Sequence, residues 1–159
     1  MRSSLYIAAA ALALVSCQKA GVTPPVTEAE AIKIAESAEA TFTAGDLDKI
    51  MGQYANGAAM IDAGDPNPST DRKVQTGWAR NFTSMKPLDY EVASRQTRIL
   101  GPDAFVTSGM ESFTVEAGAA RPRVNARFTD VYQRQKDGSW KIVAEHMSMP
   151  PTPVAPPAG

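Results

Sequence analysis

Three side chains able to carry protons stand in segments with strand-like alternation: Asp62, Asp130 and His146. In "AAMIDAGDP", residues 58–66, Ala58, Met60 and Asp62 share one face if the segment is a strand, because side chains alternate. A carboxylate after an apolar residue on an inward face is a candidate general base, provided burial or a like-charged neighbour lifts its pKa. The competing role for Asp62 is a polar strand end that caps the "GDP" loop. In "RFTDVYQ", Asp130 shares a face with Phe128 and Tyr132. Burial between two aromatic residues would raise its pKa. The competing role there is a structural carboxylate paired with Arg95 or Arg98 on another strand.

His146, in "AEHMS", is the sole histidine. Its access depends on register across the "KDGS" hairpin. If residue 130 pairs with 145, Glu145 faces the pocket and His146 faces away; if 130 pairs with 144, His146 shares the face of Asp130. A one-residue slip reverses every side chain. Tyr54, Trp78, Tyr132 and Trp140 read first as core, since aromatics at helical or strand spacing fill volume. Tyr54 and Trp78 are also placed to close a pocket around an apolar ligand. Met147 and Met149 suit an adaptable pocket mouth and equally suit a core. With one His, one Cys and no clustered carboxylates at ligand spacing, no metal is expected. No Ser–His–Asp set, phosphate loop or dinucleotide fingerprint is present, so no cofactor is expected.

These residues need elements to position them. "TEAE", Thr27 to Glu30, is a capping box, followed by Ile32, Ala35, Ala38 and Phe42 at helical spacing and a stop at Gly45. Asp46 caps a second helix, with Leu47, Ile50, Met51 and Tyr54 on one face. Asn56–Gly57 is expected to turn the chain into a strand holding Met60 and Asp62. "GDPNPST" reads as a loop that ends in a Ser69 or Thr70 cap. Val74, Trp78 and Phe82 mark a third helix, which Lys86–Pro87 ends. Four strands are expected next: Tyr90–Leu100, Ala104–Glu116, Val124–Gln135 and Ser139–Met147. The expected class is α+β, with three N-terminal helices on one face of a curved, mostly antiparallel sheet that encloses a pocket.

The 159 residues suit one domain, 43% of them hydrophobic and 21% charged, with a net charge of −1. No basic patch of the kind nucleic acid requires is visible. Residues 1–17 read as an export signal: Arg2 supplies a positive start, and "LYIAAAALALV" is too short to span a bilayer comfortably. "LVSC", Leu14 to Cys17, resembles the lipobox of bacterial lipoproteins, which implies a lipid on Cys17 and a membrane anchor. Gln18 in place of Asp then favours the outer membrane, facing the periplasm, or else the cell surface. Residues 18–25 form a linker, 26–149 the folded domain and 150–159 a proline-rich extended tail.

"AGDLDKIMGQYANGAAMIDAGDP" and "RFTDVYQRQKDGSWKIVAEHMSMP" together resemble the SnoaL-like and ketosteroid-isomerase-like branch of the nuclear-transport-factor-two-like superfamily. The resemblance spans roughly residues 28–149. It implies a cone-shaped fold, a homodimer formed through the outer sheet face and the register that pairs residue 130 with 145, although a bulge could permit the other. In the steroid isomerases a Tyr precedes the base Asp by eight residues, the spacing of Tyr54 and Asp62. A later Asp-Val pair carries an Asp kept protonated to donate to the substrate oxyanion, and "TDVY" places Asp130 there. By this resemblance Asp62 would take a proton alpha to a carbonyl and Asp130 would donate. Tyr54, Met60, Trp78, Phe128, Tyr132, Glu145, His146 and Met147 would line the site of a small apolar molecule. The family's oxyanion Tyr on the first helix is replaced by Ala38, which removes a major electrostatic element. The alternative is a non-catalytic association module tethered to the membrane.

Overall fold

Thr27 starts the first helix, α1 (Glu28–Glu39), as a reciprocal cap: its hydroxyl accepts from the Glu30 amide, and the Glu30 carboxylate accepts from the Thr27 amide at 2.9 Å. The computed structural model describes residues 24–150. The segment expected to be an export signal with Cys17, most of the expected linker and the tail from 151 lie outside them. Along α1, Ala31, Ala35 and Ala38 are buried, and such small side chains let a helix lie close to a sheet. A short turn of 3₁₀ helix over Phe42–Ala44 ends at Gly45, whose φ of 67° is the left-handed stop expected there.

Asp46 caps α2 (Leu47–Gly52) by accepting from the Lys49 amide. The third helix, α3 (Arg72–Ser84), is capped by Asp71 rather than by Ser69 or Thr70. Its buried face is Gln75, Ala79 and Phe82, whereas Val74 is 45% exposed. Gln75 Nε2 donates to the Ala58 carbonyl at 2.6 Å, and Arg72 Nη2 donates to the Met51 carbonyl at 2.6 Å. These two bonds fasten α3 to the first strand and to α2.

Six strands form one sheet: β1 (Tyr54–Asp62), β2 (Asp65–Ser69), β3 (Leu88–Gly101), β4 (Ala104–Thr114), β5 (Arg123–Arg134) and β6 (Trp140–Ser148), in the order β2-β1-β6-β5-β4-β3. All neighbours are antiparallel except β1 and β6. Two expectations change. The "GDPNPST" segment is not a loop but contains edge strand β2, where a proline's missing amide can face outward from the sheet. Asn56–Gly57 does not turn the chain before the strand. It lies inside β1, where the register against β6 shifts between Tyr54 and Ala59 and Gly57 takes a φ of 75°. β1 spends five positions there against two of β6, an irregularity in the pairing, and the positive φ is where glycine fits at no steric cost.

Alternation in the central strands sets the core. Ala126, Phe128, Asp130 and Tyr132 of β5 point inward, as do Phe105, Thr107, Glu111 and Phe113 of β4. Gly109 continues that inward row. A Cβ there would lie 1.9 Å from the Ser94 carbonyl oxygen, where β3 bulges between Val92 and Ser94. Phe42, Phe82, Tyr90 and Phe113 pack edge to face, and Trp78 stacks on Phe82 with ring centres 5.6 Å apart. Each large apolar side chain removed from water in this way is worth about 1.5–3 kcal/mol.

Candidate functional site

The sheet carries an unusual load of acid on its inner face. Glu39 of α1, Glu111 of β4, Asp130 of β5 and Glu145 of β6 are all buried. Arg95 of β3 meets Glu39 at 2.6 Å and donates to Thr107 at 3.3 Å, so Glu39 has a countercharge. The other three do not share it as a hydrogen-bond partner. The Tyr54 hydroxyl donates to Glu145 Oε2 and the Tyr90 hydroxyl donates to Glu111 Oε2, each at 2.6 Å.

Asp130 and Glu145 are direct cross-strand partners between β5 and β6. Their exposures are 6% and 7%, and Asp130 Oδ1 and Glu145 Oε1 have no hydrogen-bond partner. Two like charges opposite one another out of water cannot both be comfortably ionised. Burial holds the Asp130 carboxyl well above the usual carboxylate range, with Glu145, Glu111 and Glu39 adding to the rise. Burial pushes Glu145 up to about 7, against the Tyr54 hydrogen bond that lowers it. Glu111 is raised by burial despite its bond from Tyr90. The pair therefore holds a proton near neutral pH, as a proton-transfer site requires.

These acids look into a small cavity of about 20 Å³, room for one water-sized group. Its walls are Phe42, Trp78, Phe82, Tyr90 and Phe128, closed by Met147 and the three acids Glu111, Asp130 and Glu145. Trp78, Phe82 and Met147 also form the inner wall of a larger outer groove of about 290 Å³, bounded by Asp62, Met85, Phe113 and Met149. Among the described residues no three His, Cys, Asp or Glu side chains are arranged to hold a metal ion.

A family model for the SnoaL-like domain matches residues 33–152. The chain belongs to this family. Among solved structures, the SnoaL-like chain is similar to a Xanthomonas campestris protein described as a calcium/calmodulin dependent protein kinase II association domain. That match has 25% identity and a TM-score of 0.71, over 82% of this chain and 94% of that one. The association domain of C. elegans CaMKII matches with 10% identity and a TM-score of 0.64, over 77% and 95%. A Shewanella frigidimarina protein described as a ketosteroid isomerase matches with 15% identity and a TM-score of 0.60, over 73% and 92%. The last two show the shared α+β fold alone. No curated protein matches the sequence.

Within this SnoaL-like domain the residues singled out from sequence separate into distinct places. Phe128, Asp130, Glu145, Trp78 and Met147 line the cavity. Tyr54 stands behind it, bonded to Glu145 and edge-on to Trp78. Asp62 does not share the cavity with Asp130. It lies beyond the last β1–β6 pair, Ile61 with His146, and its Oδ1 accepts from the Gly64 amide at 2.7 Å to shape the hairpin into β2. Its carboxylate reaches the outer groove and, from there, adds to the raised pKa of Glu145. Met60 is buried against α3 and lines a second groove outside the cavity.

Two further residues expected in the pocket lie elsewhere, besides Asp62 and Met60. Tyr132 is fully buried two positions past Asp130 and stacks on Phe105, at 4.7 Å between ring centres. His146 is exposed, because residue 130 pairs with 145 and so turns position 146 to the outer face. Arg95 neutralises Glu39 rather than Asp130. Sequence reasoning missed Glu111 and Tyr90. Glu111 carried a usable signal: it has the strand parity of Phe105 and Phe113, which marks an inward carboxylate.

Proposed function

We propose that this SnoaL-like domain binds a small apolar molecule, its body in the outer groove and its polar end at Asp130 and Glu145, and is held at a membrane by a lipid on Cys17. The observation that carries the reading is the cross-strand pair of buried carboxyls, each with an unpaired oxygen, that line an aromatic-walled cavity. Such a pair suits ketosteroid-isomerase-like proton transfer. Ionised Glu145 takes the proton alpha to a carbonyl, and protonated Asp130 donates to the oxygen that gains charge. Glu145 replaces Asp62 in the basic role because Asp62 lies outside the cavity. Ala38 leaves no tyrosine on α1 to share the oxyanion, and Tyr54 is committed to Glu145, so any acceleration rests on the two carboxyls alone.

A second reading is supported by the Xanthomonas campestris protein described as an association domain: a non-catalytic association module, for which the outer sheet face would be the pairing surface. One experiment separates them. Steroid enones and substituted phenols are titrated against wild type and Asp130→Asn in a Trp140→Phe background, with the emission of Trp78 as the readout. Ligand-dependent quenching in wild type, weakened in Asp130→Asn, supports the binding site. No binding by either protein transfers the proposal to the association module.

A further inference from the structure

The chemistry of the cavity selects among ligands. Three carboxyls and five aromatic rings face a space the size of one water, and none of the lining residues is basic. An anion there would meet three acidic side chains and no basic one. A neutral carbonyl would find no protein donor other than a protonated carboxyl. A cation would find two unpartnered acceptors, Asp130 Oδ1 and Glu145 Oε1, together with the faces and edges of aromatic rings. Aromatic rings attract cations through their quadrupole, most strongly where water is excluded.

Size narrows the class further. A cavity of about 20 Å³ admits an ammonium head but not a trimethylammonium group. The outer groove lies against the same Trp78, Phe82 and Met147 that wall the cavity and continues past Met85, Phe113 and Met149, so a tail would reach it by displacing the unbranched Met147 side chain. We infer that the ligand is a primary amine with an aromatic or alkyl tail, its ammonium seated between Asp130 and Glu145 and its tail lying in the methionine-lined groove. This rests on the small-molecule reading above and names the class of molecule.

Tyr90 of β3, Glu111 of β4, Asp130 of β5 and Glu145 of β6 line that seat, and Glu39 of α1, Arg95 of β3, Tyr132 of β5 and Tyr54 and Asp62 of β1 act on it from behind or beside it. Arg95 is held by Glu39, and the tyrosines stay neutral, Tyr54 and Tyr132 because burial raises them. The ammonium therefore replaces the proton held by the carboxyl pair. Binding releases a proton, and affinity rises about tenfold per pH unit below the range near 7 where Glu145 titrates.

Isothermal calorimetry with 2-phenylethylamine tests this, beside 2-phenylethanol as the neutral isostere and the N,N,N-trimethyl derivative as the bulky cation. The amine is expected to bind at least about tenfold tighter than the alcohol, to release a proton in buffers of different ionisation enthalpy and to lose that advantage in Glu145→Gln and Asp130→Asn. The trimethyl derivative is expected not to bind. Equal or tighter binding of the alcohol, unchanged amine binding in the Gln and Asn variants, or full binding of the trimethyl cation overturns the inference. If the alcohol binds and the amine does not, the amine assignment falls and the apolar-ligand reading stands. If neither binds, both fall.

Discussion

Strands β4, β5 and β6 each cross two regions of opposite chemistry. At one end Phe105, Tyr132 and Ile142 interlock with Ile50 and half-buried Trp140 in a core of apolar and aromatic side chains. A few residues along the same strands, Glu111, Asp130 and Glu145 occupy equivalent inward positions around a cavity. The backbone geometry is shared, so the contrast lies in the side chains. The first region is arranged for stability. The second holds polar groups out of water, with two carboxyl oxygens unpaired, and such groups work against folding. A domain that carries three acids at the head of its core, with a core of ordinary quality beneath them, has the arrangement expected of a site.

The largest expected effect tests the stable region. Phe105 is fully buried and stacks on Tyr132 with planes 8° apart. Phe105→Ala should cost about 3–5 kcal/mol, measured by urea denaturation, because the packed side chains around it close the cavity only in part. The loss should be the same at pH 4 and pH 8. A loss that differs between the two would mean that the regions are coupled and that the contrast drawn between them is false.

Glu145→Gln tests the acid region, and its sign is opposite. The folded carboxyl is pushed up to about 7 from an ordinary value of 4.5. Between these values the unfolded chain gives up its proton first, so wild-type stability falls as pH rises through that window and levels off above it. The glutamine keeps an acceptor for the Tyr54 hydroxyl but never ionises. The variant should therefore match wild type near pH 4 and exceed it at pH 8 by up to about 3 kcal/mol. Denaturation at both pH values measures the difference. A variant less stable than wild type at pH 8 would show that the ionised carboxylate is stabilising there.

The same contrast explains what could be read in advance. The inward face of β5 was legible because Phe128, Asp130 and Tyr132 alternate without interruption, and the capping box at Thr27 was legible because its chemistry is local. The pairing of Asp130 with Glu145 was one of two readings. A hairpin register depends on cross-strand bonds that no single segment contains, and the irregularity between Val131 and Tyr132 lies in that very pair of strands. Strand β2 was hidden by its prolines, which the edge position excuses. Asp62 misled because β1 ends there: a strand's alternation assigns a face, but the hairpin takes the carboxylate for its own turn. Glu111 was passed over because it is an isolated Glu in a Ser- and Met-bearing stretch, and its company of acids exists only across strands.

The smallest expected effect probes how the acid region is held. The Tyr54 hydroxyl is the sole hydrogen-bond donor to the Glu145 side chain among the described residues, at 2.6 Å. A hydrogen bond to an ionised partner is worth more than one to a neutral partner. Tyr54→Phe should thus cost about 1–2 kcal/mol at pH 8, where Glu145 is ionised, and less at pH 4, where the carboxyl keeps its own proton. It should also move the Glu145 titration upward, seen in the carboxyl carbon chemical shift, because the bond it removes is the one influence that lowers that pKa. In the Glu145→Gln background the same substitution should lose its pH dependence and cost only what a neutral hydrogen bond costs, about 1 kcal/mol. The double-mutant cycle isolates the charge-assisted part of the contact. A cycle with no coupling at pH 8 would show that Tyr54 fills space beside the cavity and does not tune the acid it touches.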